Sequence, residues 1–134
     1  MSRTVRRLNQ GGHTVLRTIW TLIFIAVAIP AHTEPLALST KYDAVGTNPD
    51  GSKYTGTAAV TVISNVTFTI IWTIGGSVIR GFGMRMNDSL SATYMINGEP
   101  GLVIYKVDAN GTLDGLWAIR GKNANGTERL IPRD

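Results

Sequence analysis

Beyond residue 31 the chain alternates apolar and polar residues with a period of two almost throughout, and no segment sustains the 3.6-residue period of an amphipathic helix. In the stretch TFTIIWTIGG, Phe68, Ile70, Trp72 and Ile74 fall on one side of an extended chain and Thr67, Thr69 and Thr73 on the other; Ile71 alone breaks the rule. A chain so patterned buries its apolar side by forming a sheet with one face inward. Turn signals interrupt the alternation at Asn48-Pro49-Asp50-Gly51, Ser64-Asn65, Gly75-Gly76, Asn87-Asp88, Asn97-Gly98, Asn110-Gly111 and Asn125-Gly126. They divide it into eight predicted strands, at 38–47, 53–63, 67–74, 77–86, 89–96, 101–108, 112–121 and 126–132. Most links are too short for a crossover, so successive strands must be antiparallel neighbours in a simple meander.

An open meander leaves two unpaired edges, and closure removes them while giving every inner face the same core. The expected fold is therefore all-β, an eight-stranded antiparallel up-and-down meander closed into a small barrel, with a two-sheet sandwich as the alternative. Parity places Tyr42, Ala44, Tyr54, Gly56, Ala58, Val60, Val62, Phe68, Ile70, Trp72, Ile74, Phe82, Met84, Leu90, Tyr94, Val103, Tyr105, Trp117 and Ile119 inside. The mid-strand glycines Gly56, Gly81, Gly83 and Gly115 read as points where strands bend or bulge. A barrel of this size holds little more than side chains or one small ligand. Tight loops and many small or β-branched inner positions lead us to expect a mostly filled interior.

At 134 residues there is room for a single domain, and the absence of cysteine excludes disulfides and thiolate metal sites. The formal charge of +4 suggests a nucleic-acid binder until the charges are located. Arg3, Arg6, Arg7 and Arg17 account for the whole excess, and beyond residue 31 acids and bases balance and are scattered. No phosphate-attracting field remains, so no nucleic-acid partner is expected. Arg17 precedes TIWTLIFIAVAIPA, an apolar run suited to a signal-peptide core and short for a membrane span. Residues 1–31 are read as a signal peptide cut after Ala31, with a cut after Thr33 second and an uncleaved anchor as the alternative; residues 32–134 form the barrel domain. A start nearer Val15 would give the more usual short basic lead. After cleavage no membrane association is expected, and the product is expected to be a periplasmic or secreted monomer.

The segments YDAVGTNPDGSKYTGTAAV, WTIGG, GFG, GLVIYKVDANGTLDGLWAIRG and NGTERL together resemble a family of small exported proteins of Gram-negative bacteria, some of them labelled fibronectin-binding. The likeness spans nearly the whole chain after residue 31 and rests on glycines, turns and core positions, so it implies fold and export more than activity. A looser similarity to the calycins rests on eight strands and on Gly115-Leu116-Trp117, which lies near the end of this chain rather than on the first strand. No ligand-binding residue is carried over from it.

Catalytic constellations are missing. His13 falls in the leader and His32 at the new N-terminus, so no internal histidine serves as base or metal ligand. Asp43, Asp50, Asp88, Asp108 and Asp114 sit in or beside turns, where carboxylates cap backbone groups. The chain is not expected to be an enzyme, and no cofactor or metal is implied. Two readings remain. The first is an interaction module meeting another protein, such as a host matrix protein or a secreted hydrolase, through loops, edges or the N-terminal arm HTEPLALST. The alternative is a calycin-like barrel holding a small apolar or amphipathic ligand. Its candidate contacts are Arg80, Phe82, Met84, Tyr94, Trp72 and Trp117, with Tyr42, Tyr54 and Tyr105 as further ring-bearing inner positions. Arg80 falls on the face shared by Val78, Phe82, Met84 and Met86. It is expected at the barrel mouth, its stem covering core and its head in water, with the anchor for an acidic ligand head as the alternative, or else in a buried pair with Glu128.

Overall fold

The structure, a computed structural model, describes residues 37–133. The leader assigned to 1–31 and the first part of the arm, 32–36, lie outside the described residues. Eight strands follow one another: β1 (Lys41–Thr47), β2 (Lys53–Val62), β3 (Thr67–Ile74), β4 (Ser77–Met86), β5 (Ser89–Ile96), β6 (Glu99–Val107), β7 (Leu113–Ile119) and β8 (Gly126–Pro132). Each pairs antiparallel with the next, and β1 pairs with β8, from Tyr42 opposite Pro132 to Thr47 opposite Thr127, which closes the barrel. A sandwich is thereby excluded. Two-residue hairpins turn at Gly75-Gly76 and Asn97-Gly98, where all four residues have positive φ, between 50° and 80°. These are the backbone angles of the tight turn that matches strand twist, which is why glycine and asparagine stand there.

The inner face carries a second pattern that the outer face lacks. Directly opposite an inner glycine on one strand there is repeatedly an inner ring on its neighbour: Gly46 faces Tyr54, Gly83 faces Phe68, Gly101 faces Tyr94, Gly115 faces Tyr105 and Gly126 faces Trp117. In each pair the ring lies over the glycine so closely that a Cβ there would come within 2.1 to 2.4 Å of it. The glycines are therefore parking places for rings. A narrow barrel cannot hold all its large side chains pointing straight at the axis, and laying each against a bare stretch of wall fits them in.

This pattern corrects the parity assigned to β4. Its inner residues are Ile79, Gly81 and Gly83, with the Trp72 ring against Gly81 and the Phe68 ring against Gly83. Val78, Arg80, Phe82, Met84 and Met86 face outward and are exposed, Phe82 at 53% and Met84 at 56%. Alternation alone put the larger apolar set inside. The physical reason for the inversion is that β4's share of the core is supplied by rings of β3, which leaves its own inner positions small. Val62, at the end of β2, is also exposed.

The other inner positions form one core, closed at the end where β2 turns into β3, β4 into β5 and β6 into β7. There Tyr42, Phe68, Leu90, Leu113 and Leu130 are sealed from solvent, and Leu38, just before β1, packs against them. Outside, ion pairs join Lys106 to Asp88 (2.9 Å), Arg129 to Asp114 (2.6 Å) and Arg133 to Asp43 (3.0 Å), all exposed and each worth little.

Candidate ligand-binding site

At the opposite end, where β1, β3, β5 and β7 turn, the core stops short and a cavity of about 550 Å³ opens. Its buried wall is made by Trp72 of β3, Tyr94 of β5, Val103 and Tyr105 of β6 and Glu128 of β8. Half-buried Tyr54, Ile74, Ile79, Ile96 and Trp117 lead outward to a rim that includes Asn48, Ser77 and Asn97. The interior is thus filled at one end and hollow at the other, which corrects the expectation of a mostly filled barrel. Four of the rings meet edge to face in two pairs, Tyr54 with Trp117 (centroids 6.4 Å apart) and Trp72 with Tyr94 (5.6 Å).

Glu128 is the charged residue buried among the described residues, 7% exposed. Its position follows from strand parity: Gly126, Glu128 and Leu130 share the inner face of β8. Its cross-strand neighbours are both glycines, Gly46 on β1 and Gly115 on β7. Each glycine carries a leaning tyrosine, Tyr54 over Gly46 and Tyr105 over Gly115, and both phenols reach the carboxylate. Tyr54 Oη donates to Oε1 at 3.1 Å, Tyr105 Oη donates to Oε2, and Trp72 Nε1 donates to Oε2 at 3.0 Å while lying 3.2 Å from Tyr105 Oη. Two gaps in the wall therefore let two phenols converge on one carboxylate.

Burial raises the Glu128 pKa above the ordinary carboxylate value, although the bonds from Tyr105, Tyr54 and Trp72 pull it down. Desolvation outweighs hydrogen bonding because none of the three donors brings a positive charge. The phenols shift the same way. Burial first, then the Glu128 charge, holds Tyr105 and Tyr54 far above the usual tyrosine range and pushes Tyr94 up to about 12. Tyr94 Oη donates to the Ala118 carbonyl at 3.2 Å, and Trp117 Nε1 is buried without a hydrogen-bond partner. Among the described residues no group of histidine, cysteine, aspartate and glutamate is placed to hold a metal ion.

Of the site residues expected from the sequence, Trp72, Tyr94 and Trp117 come together in the cavity wall. Arg80, Phe82 and Met84 do not: they lie on the outer surface of β4, so the acidic-ligand anchor and the Arg80–Glu128 pair both fall. Tyr54 and Tyr105 join the wall, whereas Tyr42 belongs to the closed end. Glu128 as a cavity group was missed. The signal was present, since an acid between Gly126 and Leu130 at inner parity has nowhere to point but inward.

No family model and no curated protein sequence matches the chain, so the resemblance to small exported bacterial proteins gains nothing from that side. Solved structures do match. A redesigned β-barrel superposes with a TM-score of 0.59 at 17% identity, over 72% of this chain and 92% of its own. A de novo designed fluorescence-activating β-barrel gives 0.56 at 12% identity, over 72% and 94%. The barrel EF1p2_mFAP2b, solved bound to DFHBI, gives 0.53 at 19% identity, over 72% and 94%. At these identities the likeness is one of fold: this is a small, closed eight-stranded β-barrel.

Proposed function

We propose that the protein is a binding barrel that takes a small amphipathic molecule into the open end, rather than a catalyst. The observation that carries this reading is a cavity of about 550 Å³ walled by rings and ending on one buried carboxylate. Small-molecule sites are concave, hold roughly 300 to 1,000 Å³, and combine apolar walls with a few placed polar groups. Barrels of the same fold include one bound to DFHBI, which lends the reading further support. The interaction-module reading draws less support, because every described strand is paired on both sides and leaves no edge to dock on. Export with loss of residues 1–31 belongs to the same proposal and would put the barrel in the periplasm or outside the cell. Intact-mass analysis of the exported fraction checks it, and an unprocessed N-terminus there would exclude it.

The binding test uses the neutral apolar dye Nile red. Saturable, one-site, blue-shifted emission is expected. Ile96→Trp, which fills the mouth, should abolish it while leaving the far-ultraviolet circular dichroism unchanged. Absence of saturable binding, or binding indifferent to Ile96→Trp, overturns the reading.

A further inference from the structure

Resting on the binding-barrel reading, we infer that the ligand is a cationic amine: its charged head meets the Glu128 carboxylate inside the cage of Tyr54, Trp72, Tyr94 and Trp117, and its apolar arm runs past Ile74, Ile79 and Ile96 to the mouth. The first argument is an imbalance. Two phenols and an indole donate to Glu128, one to Oε1 and two to Oε2, which leaves Oε1 room for a further donor, and all three are neutral. Among the described residues the ion pairs lie on the outer surface, none involves Glu128, and the cavity lining contains no lysine or arginine. A buried carboxylate with hydrogen bonds and no counter-charge is costly, and a cation brought in by the ligand offsets that cost.

The walls select the same sign. Ring faces carry negative potential and attract cations, tryptophan most strongly, and Tyr54, Trp72, Tyr94 and Trp117 line the same cavity as the carboxylate. An anion would meet the carboxylate and the rings together, and a neutral molecule would gain apolar burial against the rings and isoleucines but nothing from the charge of Glu128. The lining groups at the rim, Asn48, Ser77 and Asn97, are uncharged, and the cations at the same end, Arg120 and Lys122 in the turn after β7 and Lys53 at the start of β2, are exposed to water and stand outside the lining.

Protonation gives the binding a signature. The groups facing Glu128 are Tyr54 from β2, Trp72 from β3 and Tyr105 from β6, with Tyr94 of β5 close by, while β1 and β7 present Gly46 and Gly115. The three tyrosines are all shifted upward and stay neutral, which leaves Glu128 as the group that titrates below them. A cation stabilises the ionised carboxylate, so its binding expels a proton wherever Glu128 is protonated in the free protein. Amine affinity must therefore fall as pH is lowered through the raised Glu128 pKa, and the affinity of a neutral isostere must not.

The test compares three probes by calorimetric titration at pH 8: 4-phenylbutylamine, the neutral 4-phenylbutanol and the anionic 5-phenylpentanoate. The amine is expected to bind at least about tenfold more tightly than the alcohol, and the anion least. Glu128→Gln should erase the preference for the amine and leave the alcohol within about twofold of its wild-type affinity. Should that variant fail to fold, the wild-type pH series decides by itself. An alcohol that equals the amine, a preference that survives Glu128→Gln, or an amine affinity that stays flat as pH is lowered from 8 to below the ordinary carboxylate value of 4.5 overturns the inference. If none of the three probes binds while Nile red does, the cation inference falls and the binding barrel stands. If Nile red fails as well, both fall.

Discussion

The same eight strands build two unlike ends. At the closed end Tyr42, Phe68, Leu90, Leu113 and Leu130 are sealed from solvent, the Phe68 ring lying on Gly83. At the open end the inner residues are no smaller, yet the rings of Tyr54, Tyr94 and Trp117 lie back against Gly46, Gly101 and Gly126, and the axis stays clear. Laying a ring on a glycine is common to both ends; the difference is in what fills the space beyond the ring. At the closed end Phe68 shares a buried cluster with Leu90, Leu113 and Leu130 and becomes core, whereas at the open end the rings border the cavity and become a lining. A barrel that is filled at one end can tolerate at the other a hollow and a buried acid, each of which costs stability.

The sharpest way to break this comparison is to cut one large side chain from each end. Phe68→Ala, at the closed end, should cost about 4 kcal/mol in urea unfolding, from lost burial and the void left behind. Gly115→Ala should come next, at about 2 kcal/mol or somewhat more, because its Cβ would sit 2.4 Å from Tyr105 Cδ1 and 2.6 Å from the Ile104 carbonyl oxygen. The ring has to leave, and Tyr105 then loses Glu128. Ile96→Ala, at the open rim, should cost about 1 kcal/mol or less, since that side chain is already half in water. Equal losses for Phe68→Ala and Ile96→Ala would mean that the two ends do not differ.

The smallest expected effect is in pH dependence. The folded state binds the Glu128 proton more tightly than the unfolded chain does. Stability therefore falls as pH rises from the ordinary value of 4.5 to the raised folded value, and is level beyond it. Glu128→Gln should remove that decline, so the difference in Tm between variant and wild type grows in the variant's favour over that window. A difference constant with pH would show that Glu128 is not desolvated.

The fold was legible because its determinants are local. Asn97-Gly98 and Gly75-Gly76 specify their turns from two residues alone, alternation gives each strand a face, and short links leave only a meander. The face of β4 was not legible because its determinants are non-local. Gly81 and Gly83 are inner only in view of Trp72 and Phe68, which lie on another strand, and nothing within SVIRGFGMRM records that. The site was half legible for the same reason. Trp72, Tyr94 and Trp117 could be read as inner rings, but that each lies along the wall depends on a glycine of the next strand, Gly81, Gly101 and Gly126 in turn. Reading glycines against rings across each predicted hairpin would have corrected β4 and pointed to Gly46 and Gly115 around Glu128.

The seam between β1 and β8 also sets a schedule. Thr47 and Thr127 touch across it although they stand 80 positions apart in the chain. Strands β1 to β7 can pair with their neighbours in chain order, but the sheet stays an open ribbon with two bare edges until the last strand docks. Glu128 arrives on that strand. Binding site and closed fold are therefore completed in the same step of folding, and a chain stopped before Gly126 would lack the acid and the seam together.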